Sequence, residues 1–190
     1  MTYRLFSSAL PLLLLVGLSS DPELPAQSDP TNADYLLCVS GKRGEEKVTD
    51  ACTRLTWTPA LPKALLVDAY LSRAFNRIAM GRGLEALSDC RKASVALELV
   101  HKDGRAANCF GWVYYKLGHY ELGLPHAHRA ILAEPDQPAY WDTRAHLYEG
   151  LGRKVEAMAN YHRAIGLSPG YKSSAEGLNR LGKEPAPKER

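Results

Sequence analysis

The sequence predicts an all-α protein: a short α-solenoid of about three helical hairpins, with an N-terminal capping hairpin and a C-terminal capping helix. Three observations carry this. Residues 104–137 fall on residues 138–171 without a gap, a self-match at a period of 34, which is the mark of stacked repeats. Inside each period, small and aromatic residues recur at spacings of four and three, one face of a helix, and a glycine turn separates two such runs. Each period closes on a proline, Pro135 or Pro169, which cannot continue a helix.

In chain order, residues 1–20 read as a leader rather than as part of the fold. "MTYR" supplies a positive charge, "LFSSALPLLLLVGL" is an apolar run of 14 residues, and "SS" follows, the pattern of a secretory signal peptide. Fourteen residues rise only ~21 Å as a helix, short of a ~30 Å bilayer core, so a spanning anchor is the weaker reading. Cleavage is expected after Ser19, Ser20 or Ala26, followed by a linker over 21–32. No cysteine follows the apolar run, so a bacterial lipid anchor is not indicated. The expected location is periplasmic or secreted, with no stable membrane span after cleavage.

"ADYLLCVSGKRGEEKVTDACTRL" reads as a shortened helical hairpin, and residues 33–66 are assigned to the N-terminal cap. The array follows over 67–171, as units 67–103, 104–137 and 138–171. In the last unit Trp141, Ala145 and Tyr148 share one face of a first helix, "GLGR" turns, and Ala157, Tyr161 and Ala164 share one face of a second. Helices crossing at ~8–10 Å need Ala or Gly at the crossing, with aromatics beside it. Gly111 and Gly123 of the middle unit fall on Ala145 and Ala157, so small residues stay small. "YKSSAEGLNRLG" supplies a closing helix over 172–182, and "KEPAPKER" (183–190) is charged and proline-bearing, expected to be disordered.

The run "W-x3-A-x2-Y…A-x3-Y-x2-A-x4-P" over 141–169 resembles the tetratricopeptide repeat, a 34-residue helix–turn–helix. The middle unit matches less completely, with Ala107 and Ala127 in place of aromatics. The first places Tyr70, Ala74, Gly81, Ala86, Cys90 and Ala93 correctly but has Arg77 where the later units have tyrosine. The chain is also similar to small exported proteins of alphaproteobacteria that carry a few such repeats. The resemblance implies a right-handed superhelix whose first helices line a concave groove, and a scaffold that binds a protein or peptide without catalysis or cofactor. The other reading is a structural or self-assembling subunit that uses its end helices.

Along that groove the middle unit offers Arg105, Asn108, Trp112, Tyr115 and Lys116 on one helical stripe. The last unit offers Asp142, His146 and Glu149, and the first Asp68, Leu71 and Phe75. Aromatics beside charges suit an extended peptide or a partner's helix. Some members of the family grip a C-terminal carboxylate with matched Lys, Asn and Arg. Lys116 and Asn108 are present here, but the flanking units lack the basic partners.

Four cysteines, Cys38, Cys52, Cys90 and Cys109, enter an oxidising compartment if the chain is exported. None forms a C-x-x-C pair, which argues against zinc and against a thioredoxin-like motif. Cys38 and Cys52 each lie seven residues from a turn centred near Glu45, so antiparallel helices bring them level, and a disulfide is expected. Cys90 and Cys109 differ in level by more than ~10 Å if the helix before Gly104 is straight, so this second pair requires that helix to bend or end early.

Other chemistry finds no support. His126 and His128 lie ~200° apart around a helix, too divergent for one metal ion, and read as surface histidines. No nucleophile elbow or phosphate loop occurs, and no catalytic or metal-ligating residue is assigned. A formal charge of +3 with dispersed basic residues does not suggest nucleic-acid binding. Pro125 stands in the second helix of the middle unit, where it should bend the helix or delay its start.

Overall fold

The computed structural model describes residues 30–97 and 103–183; the leader and the charged tail lie outside them. Among the described residues there are nine helices and no strand: α1 (Pro30–Ser40), α2 (Glu46–Thr56), α3 (Lys63–Ala79), α4 (Gly83–Leu97), α5 (Arg105–Lys116), α6 (Tyr120–Ala133), α7 (Pro138–Gly150), α8 (Lys154–Leu167) and α9 (Lys172–Lys183). Consecutive helices pair into hairpins. Each odd-numbered helix also packs on the next odd-numbered one, whereas the even-numbered helices touch only their neighbours in sequence. The odd helices therefore crowd together as an inner layer and the even ones splay outside, which is how a stacked array acquires a concave side.

The turns repeat in detail. Gly81, Gly118 and Gly152 have φ of 76°, 76° and 72°, the left-handed region open to glycine. After α5, His119 N donates to Tyr114 O at 2.9 Å and Gly118 N to Tyr115 O at 3.0 Å; after α7 the same bonds join Arg153 to Tyr148 and Gly152 to Glu149. This is a helix end closed by a left-handed residue, with two otherwise orphaned carbonyls satisfied.

At the α5–α6 crossing the glycines of the middle unit are needed for closeness. A Cβ on Gly123 would stand 2.5 Å from Leu147 Cδ2 and 3.2 Å from the Gly111 carbonyl. The equivalent Ala145 and Ala157 are fully buried, and Tyr161 fills the space beside them. Pro125 leaves the start of α6 unchanged: the helix begins at Tyr120, 34 residues before α8 begins at Lys154, and runs through the proline. Pro125 has no N–H to offer the Glu121 carbonyl, so one rung of the ladder is missing.

Four apolar clusters line up along the array, between α1, α2 and α3, between α3, α4 and α5, between α5, α6 and α7, and between α7, α8 and α9. Cys38 and Cys52 are joined within the first hairpin, with Cα atoms 4.9 Å apart. Cys90 and Cys109 are also joined, with Cα atoms 5.7 Å apart. The level difference expected for a straight helix does not keep them apart; the chain between Leu97 and Asp103 lies outside the described residues. Cys109 lies four residues into α5.

Arg77, out of place as a repeat aromatic, belongs to a polar core. Asp89 of α4 is fully buried and accepts from Arg73 Nη2 at 2.7 Å, Arg73 Nε at 3.0 Å and Arg77 Nη1 at 2.6 Å. Arg73 also donates to Thr53 and Thr56 of α2 at 3.0 and 3.1 Å. Arg73 thus links the Asp89 carboxylate of α4 to the threonines of α2, fixing the capping hairpin against the first unit.

Candidate functional site

The inner layer presents the stripe residues in two different conditions. On α5, Arg105 is committed to structure: Nε donates to Asp103 at 2.7 Å and Nη1 to Asp68 of α3 at 2.6 Å, while Tyr35 of α1 donates to the other Asp68 oxygen at 3.1 Å. Two turns on, Trp112, Tyr115 and Lys116 form a compact group. The Trp112 and Tyr115 rings are 5.1 Å apart, and Lys116 Nζ lies 4.9 Å and 5.3 Å from their centroids. Trp112 is half-buried and Lys116 exposed, so the ammonium covers the rings from the solvent side.

On α7 the stripe is taken up by α9. Asp142 accepts from Ser173 at 2.9 Å and Ser174 at 2.6 Å. His146, 6% exposed, lies with Nε2 3.1 Å from Ser173 Oγ and Nδ1 2.8 Å from the Tyr161 hydroxyl. Glu149 accepts from Tyr161 and, at 3.0 Å through each oxygen, from Arg180. Burial pushes the Glu149 carboxyl up, but the Arg180 and Tyr161 hydrogen bonds outweigh it and hold the carboxyl below its ordinary value. Burial also keeps His146 below its usual value despite the flanking Asp142 and Glu149. These three residues were expected to line open groove. All three bond to the closing helix, because their polar groups face the element that covers them, and Asp142 also lines the groove cavity.

What stays open is a cavity of about 620 Å³ whose lining includes Arg43, Phe75, Asn108, Trp112, Lys116, Asp142, Thr143, Tyr171 and Ser173. A second cavity of about 310 Å³ shares Arg43, Phe75 and Asn108 and adds Leu71, Asp68 and Arg105. Of the first-unit stripe, Asp68, Leu71 and Phe75 therefore all reach the groove. Arg43 was not foreseen. It sits in the α1–α2 turn, outside any helical stripe, and reaches the groove only because the capping hairpin packs on α3; its Cζ lies 5.0 Å from the Phe75 ring centroid. A weak signal was available in "GKRG", a basic pair held between two turn glycines.

The histidines also differ from expectation. His128 is exposed, but His126 is half-buried, its ring centroid 4.9 Å from that of Phe110 and 5.6 Å from that of Tyr114. Burial, with Arg129 adding to it, holds the His126 imidazole below its ordinary value. The interval from α5 to α6 folds the ring onto aromatics that helical position alone leaves unspecified. Among the described residues no three His, Cys, Asp or Glu side chains converge as metal ligands.

No protein-family model matches the chain, and no curated protein sequence matches it. Solved structures do. The second tetratricopeptide-repeat domain of human RPAP3, determined in complex with the HSP70 peptide SGPTIEEVD, superposes with a TM-score of 0.55 at 18% identity, covering 65% of this chain and 100% of that domain. MamA from Desulfovibrio magneticus RS-1 superposes at 0.53 and 15% identity, covering 83% of this chain and 96% of that one. MamA of MSR-1 gives 0.53 at 16%, over 80% and 85%. The fold of the described chain is that of a tetratricopeptide-repeat solenoid.

Proposed function

We propose that this chain is an exported, non-catalytic scaffold that holds a protein or peptide partner in the groove floored by Phe75, Asn108 and Trp112. One observation carries the reading: an aromatic and cationic cluster on α5 stays open over a cavity of about 620 Å³, while the equivalent stripe on α7 is covered by α9. Had the α5 stripe also been a docking surface for the protein's own helices, no ligand would need to be invoked. An open, pre-formed cavity with a tryptophan in its wall is the usual form of a binding site. The RPAP3 domain, which holds its peptide on the same fold, adds support at the level of architecture.

Export is supported by the apolar leader read in the sequence and by two disulfides, which persist in oxidising compartments. No helix among the described residues is long and apolar enough to cross a membrane.

The test is capture of a partner from a periplasmic extract by the wild type, by Trp112→Ala/Lys116→Glu and by Lys116→Glu alone. The double variant should lose the captured protein while its thermal unfolding stays within a few degrees of wild type. Retention of the same protein by the double variant sinks the groove assignment. The competing reading, self-assembly through the end helices, requires a mass that rises with concentration.

A further inference from the structure

Resting on the groove reading above, we infer that the preferred ligand is an internal, extended peptide segment with acidic side chains on both sides of an apolar residue. Arg43 and Lys116 take the carboxylates, and Asn108 takes the backbone between them.

Charge is the first argument. Among the described residues Arg43 lies over the Phe75 ring and Lys116 over Trp112 and Tyr115, and neither has a carboxylate partner. The two acidic residues of the groove wall are already satisfied, Asp142 by Ser173 and Ser174, and Asp68 by Tyr35 and Arg105. The two cavities are lined by Arg43, Arg105 and Lys116 against Asp68 and Asp142, an excess of one positive charge, and Arg43 and Lys116 are the cations without a carboxylate partner among the described residues. Burial holds the Arg43 guanidinium below its ordinary value, and an arriving carboxylate would relieve that cost.

Asn108 is the second. It is 8% exposed, lines both cavities, and its amide oxygen finds no donor among the described residues. Buried amides are normally paired. A half-turn of the amide presents either its acceptor or its donor to the groove, and a peptide bond offers both complements.

Shape is the third. The two cavities meet at Arg43, Phe75 and Asn108, so the open surface runs from the capping hairpin across α3 to α5. Crossing helices spaced ~8–10 Å apart takes roughly six residues at ~3.3 Å each. Phe75 and Trp112 floor the middle of that path, where an apolar side chain lands. A terminal carboxylate is not favoured, because the two free cations belong to different elements and Arg105, beside them, is tied to Asp68 and Asp103.

The experiment uses the chain from residue 21 to 190 and blocked fluorescent peptides of sequence Gly-Glu-Leu-Glu-Leu-Glu-Gly, with Gln and Lys replacing Glu in two controls. The Glu peptide should bind at least tenfold tighter than the Gln peptide at low salt, with the advantage shrinking as salt rises. Arg43→Glu/Lys116→Glu should reverse the order in favour of the Lys peptide at an unchanged unfolding temperature. Equal binding of the Glu and Gln peptides overturns the charge assignment. If both are then lost on Trp112→Ala, the groove itself survives; if no peptide binds and the captured partner ignores the groove variants, both readings fall. Freeing the C-terminal carboxyl should change affinity little, and a tenfold gain overturns the internal-segment reading. The chain's own residues 21–29, "DPELPAQSD", carry a similar pattern. A chain shortened to start at Pro30 that binds tenfold tighter would assign the groove to that segment instead of a partner.

Discussion

Asp89 shows how much a single buried carboxylate can hold. It is fully enclosed, and its two oxygens accept from Arg73 and Arg77 while Arg73 reaches on to α2. Asp89→Ala strands a buried guanidinium, so a loss of about 3–5 kcal/mol is expected in urea unfolding. Half-buried His126 and buried His146 act through pH. Burial holds both His126 and His146 below their ordinary value of 6.5, so the unfolded chain binds more protons than the folded one as pH falls below that value. Stability is therefore fully present above about pH 6.5 and declines as pH drops through the folded-state values. Denaturation midpoints at pH 7.5 and 5.5 should differ in that direction, and His126→Phe should narrow the gap. A midpoint that rises on acidification contradicts the assignment. None of this was legible from the residues one at a time. A helical stripe says which way a side chain leaves its own helix, but Asp89, His126 and Arg43 owe their surroundings to other elements.

At the scale of elements, the period of 34 exposed the hairpins, the crossing glycines and the turns, because those features are local and repeat. The ends of the array were harder. The inner stripe of α7 was correctly placed on its helix, yet whether it met solvent depended on α9. Nothing in the periodicity of "PAYWDTRAHLYEG" reveals that Ser173, Ser174 and Arg180 will arrive on top of it. Stopping the chain at Gly170 should strip Asp142 of its serine donors, leave Glu149 with Tyr161 but without Arg180, and leave Tyr161 without its neighbour Gly177; it should give an aggregating or partly unfolded product by circular dichroism and light scattering. The second disulfide was hard to read for a similar reason: the level estimate assumed a straight helix up to Gly104, yet the two Cα atoms lie 5.7 Å apart. Cys90→Ser/Cys109→Ser should cost roughly 3 kcal/mol, for a loop of 19 residues, measured as a shift in denaturant midpoint.

Across the whole molecule, a solenoid is a row of neighbours, and its stability is a sum of unit terms and interface terms. The clusters of this chain follow that plan, each shared by three consecutive helices. The Cys90–Cys109 bond breaks the symmetry of the row. It ties the outer helix of one unit to the inner helix of the next, and with the Asp89 network and the Cys38–Cys52 link it gathers α1 through α5 into one cross-linked body. From α6 onward the described helices are held by packing, hydrogen bonds and the Glu149–Arg180 ion pair, with no covalent cross-link. Hydrogen exchange should therefore be biphasic, with amides of α7 to α9 opening first and those of α3 to α5 only on global unfolding. Under tension the chain would pay out its C-terminal hairpin as a first, shorter extension and resist until a covalent bond limits the second. The floor of the groove at Phe75, Asn108 and Trp112 lies on the side of that boundary that stays folded, so a tethered partner could remain gripped while the far end of the array comes and goes.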